Sequence, residues 1–274
     1  VDDLRDAHDA TIVATRRIGR AGESDARVLS AAGAPRTFAP VPTLESRRRM
    51  PEQRGVGKFL SKLLGGEAKS REFPGSAAYW EARYKKGGTS GAGSYAHFAE
   101  FKAEVLNEFV AVNEVRSVIE FGCGDGNQLA LAKYPSYFGV DVSPAAVARC
   151  RELFGADATK SFASTDEYDG RKADLALSLD VVYHLVEDDV FERYMRTLFA
   201  AAERFVIVYA SDFDGAPGAT ASHVRHRKFT TWIAANEPRW KLARHVPNRH
   251  PRRDDAPGGT PADFFIFEKA SHGA

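Results

Sequence analysis

The sequence predicts an α/β fold built on a mainly parallel sheet, and three stretches carry that expectation. The first is the apolar run Ser117–Phe121, which reads as a buried strand and breaks into glycines at alternate positions, Gly122, Gly124 and Gly126, ahead of the helical stretch Gln128–Ala132. The second is Tyr137–Ser143, a short strand that reaches an acid, Asp141, near its end. The third is Ala173–Asp180, which alternates and then turns fully apolar, as a strand buried on both faces does. With 274 residues, 43% hydrophobic and 27% charged, the chain has enough material for one sizeable α/β domain plus extra segments.

The same composition excludes several classes. A formal net charge of +1 gives no field to attract nucleic acid. Two cysteines, Cys123 and Cys150, make neither a disulfide framework nor a metal site and read as free thiols in a reducing, cytoplasmic compartment. No apolar run approaches the roughly 18 residues of a membrane span, and the polar first residues lack the apolar stretch of a signal peptide.

Residues 1–72 form an extension poor in large apolar side chains. It holds a weakly patterned helix over Asp2–Ile18, an arginine run at Arg47–Arg49 and a short basic amphipathic helix at Gly57–Leu64. The stretch from Tyr79 to Tyr95 carries an aromatic helix end into a glycine- and serine-rich loop. It is either a flexible linker or a functional loop anchored by Trp80, Tyr84 and Tyr95. A helix over His97–Ala111 then buries Phe98, Phe101, Val105, Leu106, Phe109 and Val110 at helical spacing.

At the glycine turn the spacing is G-x-G-x-G, not the G-x-G-x-x-G that seats a pyrophosphate on a helix N-terminus, which argues against a nicotinamide dehydrogenase. Glu120, just before the turn, would repel a diphosphate but suits a cationic ligand. Glycines let a ligand lie against the backbone, and an acid at the tip of the second strand is placed to hold a ribose diol. Glu120–Gly126 followed by Gly139–Ser143 resembles motifs I and II of class I S-adenosylmethionine-dependent methyltransferases, and the likeness extends from Tyr79 to Lys269.

The resemblance implies a doubly wound, seven-stranded, mainly parallel sheet with an antiparallel last strand and helices on both faces, with S-adenosylmethionine as cofactor. It implies that residues 73–112 cover the cofactor, and that residues 73–274 make up the methyltransferase domain. It marks Tyr84, Ser90, Glu120, Phe121, Gly122, Cys123, Gly124, Gly126, Gln128, Asp141, Val142, Asp157 and Asp180 as cofactor-binding positions. Among these, Asp141 holds the ribose, while Tyr84 and Ser90, with Tyr95, lie near the methionine end. Asp157 faces the adenine amino group, although loop solvation explains that residue equally well.

Beyond the second strand, Ser143 is a natural N-cap with Pro144 at the first helical position, opening a helix to about Phe154. A short third strand lies within Gly155–Phe162. The strand ending at Asp180 leads into Val181-Val182-Tyr183-His184. Its position is similar to motif IV, but the prolines of the base-methylating D-P-P-Y pattern are missing, so that specificity does not carry over. Asp180 and Tyr183 are expected at the sulfonium end. His184 is the general-base candidate, since an imidazole titrates near neutrality; the alternative is a structural histidine capping the strand end or bonded to Asp188. Glu187–Asp189 should open the next helix, and Arg204–Ser211 a fifth strand. His223, Arg225 and His226 then form a cationic cluster, read either as a grip on the acceptor or as a solvated basic loop. No thiol lies nearby, so no metal is expected. Trp240–Val246 and Asp263–Lys269 read as a final strand pair.

The expected activity is methyl transfer to a hydroxyl of a small polar acceptor, with a sugar or glycan favoured by the cationic loop and by a general likeness to methyltransferases of polysaccharide-building enzyme sets. The competing readings are a non-catalytic cofactor-binding scaffold and a nucleic-acid methyltransferase. Near-neutral charge and the missing prolines disfavour the latter.

Overall fold

The computed structural model describes residues 73–216, 220–253 and 258–270. The 1–72 extension, with its expected helices and arginine run, lies outside the described residues.

Seven strands form one sheet: β1 (Val118–Phe121), β2 (Tyr137–Asp141), β3 (Lys160–Ser164), β4 (Ala173–Leu179), β5 (Ala202–Ala210), β6 (Trp240–Val246) and β7 (Asp263–Lys269). Their spatial order is β3-β2-β1-β4-β5-β7-β6. β1 pairs in parallel with both β2 and β4, so the order reverses between β1 and β4. In open α/β sheets ligands bind at that reversal, outside the carboxyl ends of the strands. β7 is antiparallel to both neighbours, as the resemblance implied for the last strand.

Adjacent residues in a strand point to opposite faces, and the core divides accordingly. Val118, Tyr137, Leu175, Leu177 and Ile207 pack under α2 (Ala96–Val112) and α3 (Pro144–Phe154). Ile119, Phe121, Val140, Ala176 and Val206 pack under α4 (Asp188–Ala200) and α5 (Phe229–Asn236). The capping expectation holds at α3, where Ser143 Oγ accepts a hydrogen bond from Ala146 N–H at 3.2 Å. A further helix, α1 (Ser76–Lys85), precedes α2 and meets the start of α3, where Glu81 accepts hydrogen bonds from the Ser143 hydroxyl and from Ala145 N–H.

One expectation needs correction. The segment after the glycine turn is not an α-helix but a single 3₁₀ turn, Leu129–Leu131. Pro135 follows so closely that the preceding residues must leave helical space, and the run is too short to add turns. That segment therefore presents no α-helix N-terminus to the glycine turn. The connection from β3 to β4 likewise holds only a 3₁₀ turn, Thr165–Glu167, and Tyr168 packs onto Phe121 and Phe138 on that face.

Candidate active site

A cavity of about 670 Å³ opens over the carboxyl ends of β1, β2 and β4, within the size range of small-molecule sites. Its floor is the glycine turn. Gly122, Gly124 and Gly126 adopt φ of 87°, 58° and 78°, values that side-chain-bearing residues rarely reach. A methyl group on Gly124 would collide with Ser90 Oγ, so only glycine lets the covering loop sit there.

Asp141 accepts hydrogen bonds from Gly124 N–H (2.9 Å) and Ser143 N–H (2.8 Å), one on each oxygen. That fixes the carboxylate plane and leaves each oxygen a lone pair. Burial pushes its carboxyl up to about 6, against the pull of those two N–H groups. Glu120 is fully enclosed and accepts from the Tyr137 hydroxyl at 2.7 Å. Burial raises its carboxyl to about 7, with Tyr137 and the Lys102 charge opposing. Cys123 and Gln128 also line the floor; Gln128 donates to Ala99 C=O while its own buried Oε1 has no partner.

The loop after α1 closes over this floor. Tyr84 and Ser90 share a hydroxyl–hydroxyl hydrogen bond of 3.0 Å. Ser90 N–H donates to Asp125 Oδ2 and Asp125 N–H donates to Ser90 Oγ, each at 2.9 Å. Tyr95 adds a third bond, its hydroxyl donating to Asp125 Oδ2 at 2.6 Å. The glycine-rich stretch from Gly87 to Ser94 is thus seated by Asp125, a residue the sequence reading passed over because it looked like one more polar turn residue. Tyr95 supports the loop from behind and does not itself reach the cavity wall.

Asp180 follows β4 with a left-handed φ of 60°. Its carboxylate meets Lys102 Nζ at 2.6 Å and the Tyr183 hydroxyl at 2.7 Å. Lys102 has no exposed side-chain surface, yet borders the cavity. Tyr183 backs Asp180 from outside the cavity, which corrects its expected place beside the sulfonium.

His184 lines the cavity next to Trp80, with ring centroids 4.9 Å apart. Its Nδ1 is 3.0 Å from the His223 carbonyl, an acceptor, so Nδ1 carries the proton and Nε2 keeps its lone pair. Burial pulls the imidazole down to about 4, only partly offset by that carbonyl. The His223 ring stacks between those of Tyr79 (4.5 Å) and His184 (5.5 Å). His184 does not bond Asp188, which removes one form of the structural alternative.

The cationic cluster is placed differently from expectation. Arg225 donates to Val186 C=O (2.9 Å) and pairs with Asp188 (3.0 Å). Arg227 donates to Leu185 C=O and Val186 C=O and also pairs with Asp188. Their charges hold the segment after His184 rather than an acceptor. His226 bonds Ser211 Oγ at 2.6 Å, away from the cavity wall. Asp157 is also displaced from its expected role: it sits in the exposed turn after α3, held at about 2 by Lys160 and Thr159. Thr165 and Asp166, past the end of β3, border the cavity instead. Among the described residues, no three metal-ligating side chains cluster.

A family model for a methyltransferase domain matches residues 95–253, and the chain belongs to that family. No curated protein sequence matches it. Among solved structures it is similar to the N-methyltransferase NodS from Bradyrhizobium japonicum WM9 in complex with S-adenosyl-L-homocysteine, at 16% identity and a TM-score of 0.54, covering 72% of this chain and 100% of that one. It is also similar to magnesium protoporphyrin IX methyltransferase from Synechocystis PCC 6803 with bound S-adenosylhomocysteine, at 15% identity and a TM-score of 0.51, covering 71% of this chain and 98% of that one. At such identities the likeness is one of fold. The protein is an S-adenosylmethionine-dependent methyltransferase. Its site fits that cofactor on its own terms: a side-chain-free floor, two buried acids for a cationic diol-bearing ligand, and the unpartnered Gln128 Oε1.

Proposed function

We propose that the enzyme methylates a hydroxyl oxygen of a small acceptor, with His184 taking the proton. The observation that carries this reading is the fixed tautomer of His184: Nδ1 is committed to the His223 carbonyl, so Nε2 is the open basic nitrogen on the cavity wall. An imidazole base helps a hydroxyl, which must lose its proton to become a competent nucleophile, more than it helps an amine that is already neutral.

Bound S-adenosylmethionine supplies an electrophilic methyl group. The chain supplies placement, which alone is worth several kcal/mol in a displacement reaction. In this reading Asp141 holds the ribose hydroxyls, and Glu120 together with Asp180 faces the positive charge of the methionine end. Gly122, Gly124 and Gly126 give the backbone approach, and Tyr84 and Ser90 close the cover formed by residues 73–112. Lys102 and Tyr183 position Asp180. The buried, free state of both cysteines suits the expected cytoplasmic setting.

Two measurements test the reading. Calorimetric titration with S-adenosylhomocysteine should give micromolar binding that Asp141→Ala loses. Mass spectrometry of products from an acceptor panel should show oxygen methylation that His184→Ala slows by about 10²–10⁴-fold, with cofactor affinity kept. Methylation confined to nitrogen acceptors would refute the hydroxyl assignment. Cofactor binding without any methylated product would favour the scaffold alternative.

A further inference from the structure

We infer that the acceptor is a planar, largely apolar molecule presenting a single phenolic or enolic hydroxyl, rather than a sugar; this rests on the hydroxyl reading above. The inference comes from what the acceptor half of the cavity offers. The wall around His184 is built from Pro74, Ala77, Trp80, Val181, Leu185 and Val190. Several of the polar groups on it are already engaged within the protein, while Thr165, Asp166 and Arg193 border the cavity as well. Ser76 gives its N–H and hydroxyl to Glu187 at 2.8 and 2.6 Å. The Tyr194 hydroxyl bonds Phe121 C=O (2.9 Å) and Ser178 Oγ (2.7 Å), and Thr197 bonds Arg193 C=O.

A sugar brings several hydroxyls, each of which must exchange water for a protein partner or be buried unsatisfied. Beside Trp80 this wall offers its indole N–H as an open donor and a single open acceptor, the His184 Nε2. An aromatic or enolic acceptor needs only that one. Its flat body gains from the indole of Trp80 and from Leu185 and Val190, with more apolar surface to bury than a polyol has.

Proton chemistry points the same way. Burial leaves the His184 imidazole at about 4. A phenol titrates near ~10, whereas water, a stand-in for an aliphatic alcohol, titrates near ~15.7, so the phenol's proton is easier to move by roughly six powers of ten. In the step itself the acceptor oxygen forms its bond to the methyl carbon as the carbon–sulfur bond breaks, the electron pair staying on sulfur. The hydroxyl proton passes to Nε2 of His184 and from there to solvent.

The test uses the full chain with S-adenosylmethionine and a mass-spectrometric readout, across phenols, an enolic 1,3-diketone, monosaccharides, aliphatic alcohols and amines. The expected result is a methyl ether on phenols or the enol, with kcat/KM at least 100-fold above any sugar, rising with phenol acidity across a ring-substituted series. Methylation of a sugar or aliphatic alcohol at comparable efficiency would overturn this inference while leaving the hydroxyl reading intact. Products confined to amines would overturn both. Transfer to no phenol or enol, with S-adenosylhomocysteine binding demonstrated in the same preparation, would overturn the inference alone.

Discussion

Ser90 and Asp125 grip each other reciprocally: each donates its backbone N–H to the other's side chain, both at 2.9 Å, across 35 residues of sequence. Burial raises the Asp125 carboxyl, but hydrogen bonds from Tyr95 and Ser90 outweigh it and leave the group below its usual value. It is therefore an anion accepting charge-assisted bonds, the stronger kind.

Replacing Asp125 by alanine removes the seat of the covering loop. We expect S-adenosylhomocysteine to bind about 10–100-fold more weakly, the equivalent of about 1.4–2.8 kcal/mol. In the parent protein the ligand should slow tryptic cleavage at Lys85 and Lys86; in Asp125→Ala that protection should disappear. Unchanged affinity and protection would show that the loop is held by other contacts.

Lys102→Met should be costly to stability, because it leaves the Asp180 carboxylate enclosed without its counter-charge. Breaking a buried pair from one side typically costs about 3–5 kcal/mol, visible as a lower denaturant midpoint. The double variant Lys102→Met with Asp180→Asn should recover much of the loss. If the single variant is as stable as the parent, the Lys102–Asp180 pair contributes nothing measurable to stability.

Cofactor binding should release protons. Glu120, raised to about 7, and Asp141, raised to about 6, are partly protonated in the free protein near neutrality. A cationic ligand with ribose donors favours both carboxylates, so affinity should climb with pH between about 5 and 7 and level off above. Calorimetry at pH 6.5 in phosphate and in Tris should give different apparent enthalpies. The folding linkage of Glu120 has a definite sign. Its folded value lies above the ordinary 4.5, so its contribution is complete below 4.5 and is lost as pH rises through about 7. Glu120→Gln should therefore flatten the fall in stability of the free protein over that interval.

His184 should remain neutral far into acid. With the folded value at about 4 against the ordinary 6.5, the acid limb of kcat/KM set by this group belongs near 4. The unfolded chain takes up this proton first, so His184 makes the protein lose stability as pH falls from 6.5 towards 4. His184→Gln should remove both effects, and a rate profile still breaking near 6.5 would point to a different base.

Much of this was legible in the sequence, and the gaps have physical causes. Motif I and the acid of motif II announced the floor because backbone conformation dictates glycine there, and Ser143-Pro144 announced α3 because cap chemistry is local. Lys102 was missed although it sits among Phe98, Phe101 and Leu106 on one helical face. A lysine in an apolar stripe was itself the signal, but its partner Asp180 is 78 residues away. α5 went unread because Thr230 and Thr231, β-branched, sit in its first turn. The cluster at His223–Arg227 displayed its charges but not its partners. Those include the carbonyls of Leu185 and Val186, which carry no side-chain signature, beside the side chains of Asp188 and Ser211. The 3₁₀ turn at Leu129 was read as a helix because local propensity outweighed the nearby Pro135 in that reading.

Trp80 and Tyr84 belong to the same short helix, α1, and their rings lie 5.8 Å apart. On the proposed reading, one face of that helix serves both, covering the cofactor floor through Tyr84 and supplying the acceptor wall through Trp80. The two substrates thus share a single shutter. If occupancy of the floor seats the helix and so builds the acceptor wall, product-inhibition kinetics should show ordered binding, cofactor first. By the same expectation S-adenosylhomocysteine should leave last.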